Sequence, residues 1–145
     1  MSKPRFEFQA RVVVPGSAEG PALRLDETLS FWGGFDPASG EIIDPHHSQH
    51  GQRVGGTILF IPASRGSAGT PAGIAESLRR GSGPKALVLG QSDVNIGIGV
   101  LVANRLYGLR VPVVELPFEK LHGIDSGCRL SIDATGKIMV VASRP

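Results

Sequence analysis

The sequence predicts an α/β domain with a mixed sheet: a parallel βαβαβ core, additional β-strands beside it, and a C-terminal β-hairpin. Three observations carry this expectation. Between Thr57 and Leu116, short apolar runs alternate with two longer segments that carry helix start and stop signals, an order that gives parallel strands joined by right-handed crossovers. Cys128 to Asp133 and Lys137 to Ala142, separated by Ala134-Thr135-Gly136, read as two strands of a hairpin. The 145 residues show no repeat, low-complexity tract or linker, so a single domain over 1–145 is expected. A chain of this length buries roughly 70% of its unfolded surface and needs no staple.

Taken in order, Phe6 to Val14 reads as one strand closed by Pro15-Gly16, and Ala22 to Leu25 as a weaker strand after Gly20-Pro21. From Leu29 to Gly56 no period holds for long apart from Glu41-Ile42-Ile43, which predicts an extended loop region, and long loops in compact domains are often functional. Thr57 to Pro62 is β-branched and aromatic and too short for a buried helix, hence a strand. A polar loop, Ala63 to Gly69, leads to a helix over Thr70 to Arg80, with Thr70 as N-cap and Pro71 at the first helical position, where its missing N–H costs nothing. Gly81 to Pro84 is a turn and Lys85 to Leu89 a buried strand. Val94 to Tyr107 is a second helix, capped by Ser92 or Asp93 and ended by Gly108, with Gly97 and Gly99 expected to let it lie close to the sheet. Val111 to Leu116 is the next strand.

Composition narrows the function. Hydrophobic residues are 41% and charged residues 19%, as in folded soluble domains. The net charge is +2 and the basic residues are scattered from Arg5 to Arg144, so no stripe or stacking platform for nucleic acid is present. One cysteine, Cys128, excludes an internal disulfide and falls short of the thiolates an iron–sulfur cluster ordinarily takes. No signal core and no membrane-length apolar stretch is seen, and a cytoplasmic location without membrane contact is expected.

The loop after the Thr57 strand is where chemistry concentrates. Ser64, Arg65 and Ser67 bring hydroxyls and a guanidinium to a helix start whose backbone N–H groups are free, a combination that suits an anionic substrate. Ser67 can serve there as base, nucleophile or hydrogen-bond donor, and Ser64 and Ser67 can equally satisfy loop backbone groups. A hydrolase elbow is excluded, because Arg65 stands where the motif needs glycine. His46, His47 and His50 have no metal-site spacing, and Pro45 and Gly51 bracket them, so no metal is assigned to this chain. Phe31-Trp32 is read as core. Gly97 and Gly99 lack a third glycine and sit inside a helix, and Gly136-Lys137 is followed by Ile138, so nucleotide binding is not indicated.

Ser30-Phe31-Trp32-Gly33-Gly34-Phe35-Asp36-Pro37, then Gly40 to Asp44 with His47, Gly55-Gly56, Pro62 with Arg65-Gly66-Ser67, and Arg79-Arg80-Gly81 with Pro84, Ala86 and Ala103 together resemble the aconitase-X swivel-domain or small-subunit family. The resemblance implies the aconitase-type swivelling β/β/α domain. It also implies a hydro-lyase of two subunits, inactive as this chain alone, in which a large subunit holds an iron–sulfur cluster or iron and the swivel domain covers the site. The family's substrates are small hydroxylated carboxylates, cis-3-hydroxy-L-proline in bacteria and phosphomevalonate in archaea, and the Ala-, Gly- and Arg-rich composition favours the bacterial case. Ser67 takes the family's serine after Arg-Gly and is assigned as the general base. Arg65, Gly66 and Ser64, with Gly33, Gly34 and His47, are the candidate substrate contacts. A swivel-fold binding or regulatory module without catalysis is the alternative.

Overall fold

The computed structural model describes residues 4–65, 69–121 and 124–141. The strands are β1 (Pro4–Gln9), β2 (Arg11–Val14), β3 (Ala18–Arg24), β4 (Phe35–Asp36), β5 (Glu41–Ile42), β6 (Ile58–Ile61), β7 (Ala86–Leu89), β8 (Val113–Glu115), β9 (Arg129–Ile132) and β10 (Lys137–Val141). The helices are α1 (Thr70–Arg80), α2 (Val94–Tyr107) and the single turn α3 (Phe118–Leu121), the last unanticipated from the sequence. Eight strands form one sheet in the order β1-β10-β9-β3-β6-β7-β8-β2. The pairs β3–β6, β6–β7 and β7–β8 are parallel, as the βαβαβ pattern predicts, and β9–β10 is the expected hairpin.

The expected single strand over Phe6 to Val14 is in fact two. Only Ala10 separates β1 from β2, yet β1 pairs with β10 and β2 with β8, at opposite ends of the strand order. The sheet therefore folds over itself, and the chain passes from one layer to the other at Ala10, whose N–H donates to Gly136 O at 2.9 Å. The sequence carries the trace of this change, alternating through Phe6-Glu7-Phe8-Gln9 and running apolar through Val12-Val13-Val14. β3 makes the same passage: Ala18 to Pro21 pair with β9, and Ala22 to Arg24 with β6. Gly20-Pro21 thus lies inside a longer strand rather than before it. Pro21, with no N–H to give, sits where the ladder changes partner.

Two cores result. Leu59 and Ile61 of β6, with Leu87 and Leu89 of β7, meet Ile74 and Leu78 of α1 and Ile96, Val100 and Ala103 of α2. Ile58 and Phe60, with Ala86, Val88 and Val114, face the hairpin residues Leu130, Ile132, Ile138 and Val140. The central strands are buried on both faces, which is why their sequences run apolar without alternation. Each such Leu, Ile or Phe side chain contributes about 1.5–3 kcal/mol by burial.

The region between Leu29 and Gly56, expected as extended loop, is packed. β4 and β5 pair, and Phe31, Phe35, Ile42 and Val54 are at most 1% exposed, with Phe31 and Phe35 in edge-to-face contact at 5.5 Å. Phe31 is core, as read, but Trp32 is 64% exposed. α1 begins differently from expectation: Gly69 is the N-cap, and no side chain among the described residues caps the helix. Thr70 is the first helical residue and fully buried, and its hydroxyl is buried with it, with no hydrogen-bond partner among the described residues. α2 is capped by Asp93 and ends at Gly108, φ 66°. Gly97 of α2 does approach the sheet, at Val13, whereas Gly99 faces α1 instead. Val94, Ile98, Leu101, Val102, Leu106 and Tyr107 of α2 point outward, and among the described residues nothing covers them. No helix among the described residues is long and apolar enough to cross a membrane.

Candidate functional site

The parallel strands β3, β6, β7 and β8 end on one edge of the sheet, where the connecting loops of an α/β core gather. β6 stops at Ile61 and the chain reaches Ser64, which bridges to Leu29 beyond the end of β3. Asp93, at the end of the neighbouring β7–α2 loop, binds Ser64 twice: its Oδ2 accepts from the Ser64 backbone N–H at 2.8 Å and from the hydroxyl at 2.5 Å. The other carboxylate oxygen of Asp93 accepts from Ile96 N–H at 3.2 Å and caps α2.

Arg65 is held from the opposite side. Its N–H donates to Leu29 O at 2.9 Å and its Nε to Thr28 Oγ1 at 3.1 Å, and the residue is exposed at the rim. Gly66 and Ser67 lie outside the described residues. The chain is described again from Gly69, which packs so closely on Trp32 that a Cβ there would stand 2.5 Å from the indole Cγ.

His47 joins this edge from below. It is 5% exposed; its Nδ1 accepts from Gln49 N–H at 3.0 Å, which leaves Nε2 facing Glu27 Oε1 at 3.8 Å, without a hydrogen bond. The Gln49 side chain in turn accepts from Asp26 N–H and donates to Arg24 O, both at 2.9 Å, so the histidine loop is fastened to the end of β3. His46 and His50 are exposed while His47 is buried, and the three histidines form no metal-holding group.

Gly33 and Gly34 serve their own loop. Gly33 has φ 108°, a conformation L side chains rarely adopt, and Gly34 O accepts from the N–H groups of Ile43 and Asp44. Asp36, in the same string, has its carboxyl held below the usual range by the Ala38 N–H and then the Ser39 hydroxyl, a turn-forming role.

The structure therefore brings Ser64 and Arg65 together at the strand ends and places His47 beneath their neighbours. Sequence reasoning missed Thr28 and Glu27, and saw Asp93 only as a helix cap. The signal for Asp93 was topological: parallel pairing of β6 and β7 sets their following loops side by side. Among the described residues no three His, Cys, Asp or Glu side chains are grouped to hold a metal. Cys128 is half-buried against the second core.

Two layers of strand crossed by shared segments, a helical layer behind, and a polar loop at the carboxyl ends of the parallel strands define a swivel domain. The aconitase X swivel domain model matches residues 7–141, and the chain belongs to that family. A chain in the crystal structure of Thermococcus kodakaraensis aconitase X, holo form, superposes with a TM-score of 0.84 at 25% identity, over 94% of this chain and 99% of that one. The cis-3-hydroxy-L-proline dehydratase of Hypocrea jecorina is 38% identical over 79% of this chain and 20% of its own length. The phosphomevalonate dehydratase small subunit of Methanothrix thermoacetophila is 30% identical over 94% of this chain and 95% of its own. This chain thus spans about a fifth of the hydroxyproline dehydratases it matches and nearly all of the phosphomevalonate dehydratase small subunits.

Proposed function

We propose that this chain is the small subunit of an aconitase-X type hydro-lyase and supplies Ser67 as the general base that dehydrates a hydroxylated carboxylate, cis-3-hydroxy-L-proline. The observation that carries the reading is the loop between β6 and α1: anchored at Ser64 and Arg65, it runs into a helix N-terminus that no side chain among the described residues caps. The positive end of a helix favours negative charge, whether on a substrate carboxylate or on a serine alkoxide.

The chemistry is a β-elimination. The Ser67 oxygen takes the proton from the carbon beside the carboxylate, the electron pair forms the carbon–carbon double bond, and the C–O bond to the neighbouring hydroxyl breaks, releasing water once that oxygen is protonated. A serine is a weak base unless its alkoxide is stabilised, and the helix start and the Arg65 guanidinium supply that stabilisation. The described residues do not fit an iron or iron–sulfur group; that cofactor belongs to a large-subunit partner in this reading, and the pair is cytoplasmic.

The 38–40% identity to cis-3-hydroxy-L-proline dehydratases supports that substrate. Phosphomevalonate is the second reading, supported by the end-to-end match with separate small subunits. The test reconstitutes this chain with its large subunit and iron and offers each substrate to wild type and Ser67→Ala. Turnover of cis-3-hydroxy-L-proline that is lost in Ser67→Ala supports the proposal. Unchanged turnover ends the base assignment, and turnover of phosphomevalonate alone reverses the substrate choice.

A further inference from the structure

We propose that the outward face of α2 is the surface on which the large subunit docks, and that the large subunit meets it with an apolar groove edged by carboxylates; this rests on the two-subunit reading. α2 is apolar on two sides. Ile96, Val100 and Ala103 face the core, while Val94, Ile98, Leu101, Val102 and Leu106 recur at the spacing of a second stripe and are 43–71% exposed. A helix that is hydrophobic all round belongs in an interior, yet among the described residues only the inner side of α2 is covered. Val13 of β2, also exposed, continues the stripe across Gly97. A contiguous apolar surface of several hundred Å² marks an interaction site on a folded domain.

Charge and position select the occupant. Arg105 lies within the stripe, beside Leu101, Val102 and Leu106, and Arg110 lines the groove next to it; neither guanidinium has an ion-pair or hydrogen-bond partner among the described residues. The carboxylates that border the face are taken, Asp93 by Ser64 and Ile96, and Glu115 by Arg11 at 2.8 Å. A second copy, meeting this face with its own, would bring two more guanidiniums and no free carboxylate from the same surface to answer them. A different chain can supply those carboxylates. The stripe starts at Val94, next to the Asp93 that holds Ser64, so it adjoins the strand-end edge over which the large subunit closes. The 14 residues of α2 extend about 21 Å, less than the roughly 30 Å breadth of one side of a standard interface, so a single partner covers both.

The test titrates the full chain against the purified large subunit, as wild type, Leu101→Glu, Arg105→Glu and Arg105→Lys, and reads complex formation by analytical ultracentrifugation. The dissociation constant is expected to rise about 30-fold or more for Leu101→Glu and about tenfold or more for Arg105→Glu, with Arg105→Lys, which keeps the charge, losing less. Thermal midpoints of the free chains are measured alongside; Arg105→Glu exchanges one exposed helix former for another and carries the test where Leu101→Glu is unstable. Wild-type affinity in both glutamate variants overturns the inference and leaves the two-subunit reading intact. A wild-type chain that self-associates through Leu101, while every form binds the large subunit equally, gives the face to a second copy and overturns it too. Weakening by Leu101→Glu alone overturns the carboxylate edge. No complex between the wild-type chain and the large subunit overturns the two-subunit reading and the inference with it.

Discussion

Gly99 of α2 and Ile74 of α1 meet with no room for a side chain between them: a Cβ on Gly99 would stand 2.2 Å from Ile74 Cγ2 and 2.8 Å from Pro71 O. Neither neighbour can yield cheaply, since Cγ2 hangs directly on a β-branched carbon and the oxygen is backbone. Gly99→Ala is therefore expected to destabilise by about 1–3 kcal/mol through overpacking, although alanine is favoured over glycine in a helix by about 1 kcal/mol. Urea denaturation would show the midpoint falling at constant slope. At Gly97 the nearest atom is Val13 Cγ1 at 3.3 Å, and Gly97→Ala should stay within about 1 kcal/mol of wild type.

Glu76 on α1 gives a pH dependence with a definite sign. Hydrogen bonds from Arg79 and then Arg80 pull its carboxyl from 4.5 down to about 2. A depressed folded-state value means that the unfolded chain takes up the proton first as pH falls. The stabilisation is complete above about pH 4.5 and is lost between there and about pH 2. Wild type should melt higher than Glu76→Gln at pH 6, with the gap closing by pH 2 and narrowing in high salt, because the pair is at the surface. A gap that widens on acidification would contradict the assignment.

What the sequence disclosed, and what it hid, follows from the range of the contacts involved. Ile58–Ile61 and Ala86–Leu89 were readable because strands buried on both faces must be continuously apolar, and Pro62 and Gly90 mark their ends. The split at Ala10 was not, because the partner of Arg11 is Glu115, about a hundred positions away, and the local change from alternating to apolar residues does not by itself say that the two halves pair at opposite ends of the sheet. Phe31, Phe35, Ile42 and Val54 follow no period, since they are buried by tertiary packing that includes one another, Phe31 against Phe35 and Phe35 opposite Ile42, so the segment looked like loop. At the site, Ser64 and Arg65 showed themselves as polar residues at a strand-to-helix junction. The role of Asp93 needed the adjacency of β6 and β7. Nothing in the run His46, His47, His50 says which ring turns inward, and the part given to Ser67 came from family resemblance rather than from spacing.

His47 holds its loop by packing and by one accepted hydrogen bond. Its side chain is 2% exposed, and its Nδ1 is the acceptor for Gln49 N–H. His47→Ala leaves a cavity and an unpaired amide, and is expected to cost about 2–4 kcal/mol. The loss should appear as a lower thermal midpoint in the chain alone, with no substrate or partner present. Unaltered stability together with impaired turnover of the reconstituted enzyme would instead make His47 a direct substrate contact.

Trp32 is the only tryptophan in the chain, and its indole lies against Gly69 where the site loop re-enters α1. At 64% exposure it should be quenched readily by acrylamide in the isolated chain. A methyl group at position 69 would stand 2.5 Å from the indole Cγ and 2.9 Å from Trp32 Cβ, atoms too near the backbone to swing aside. Gly69→Ala is therefore expected to displace the ring and change its emission, with the denaturation midpoint falling by about 1–3 kcal/mol equivalent. On the proposed function, a large subunit that closes over the loop also covers this ring. Reconstitution should then shift the emission to shorter wavelength and cut acrylamide quenching by severalfold, provided the partner's own fluorescence is removed by replacing its tryptophans. Quenching that is the same before and after a complex has formed would place Trp32, and with it the end of the loop, outside the interface.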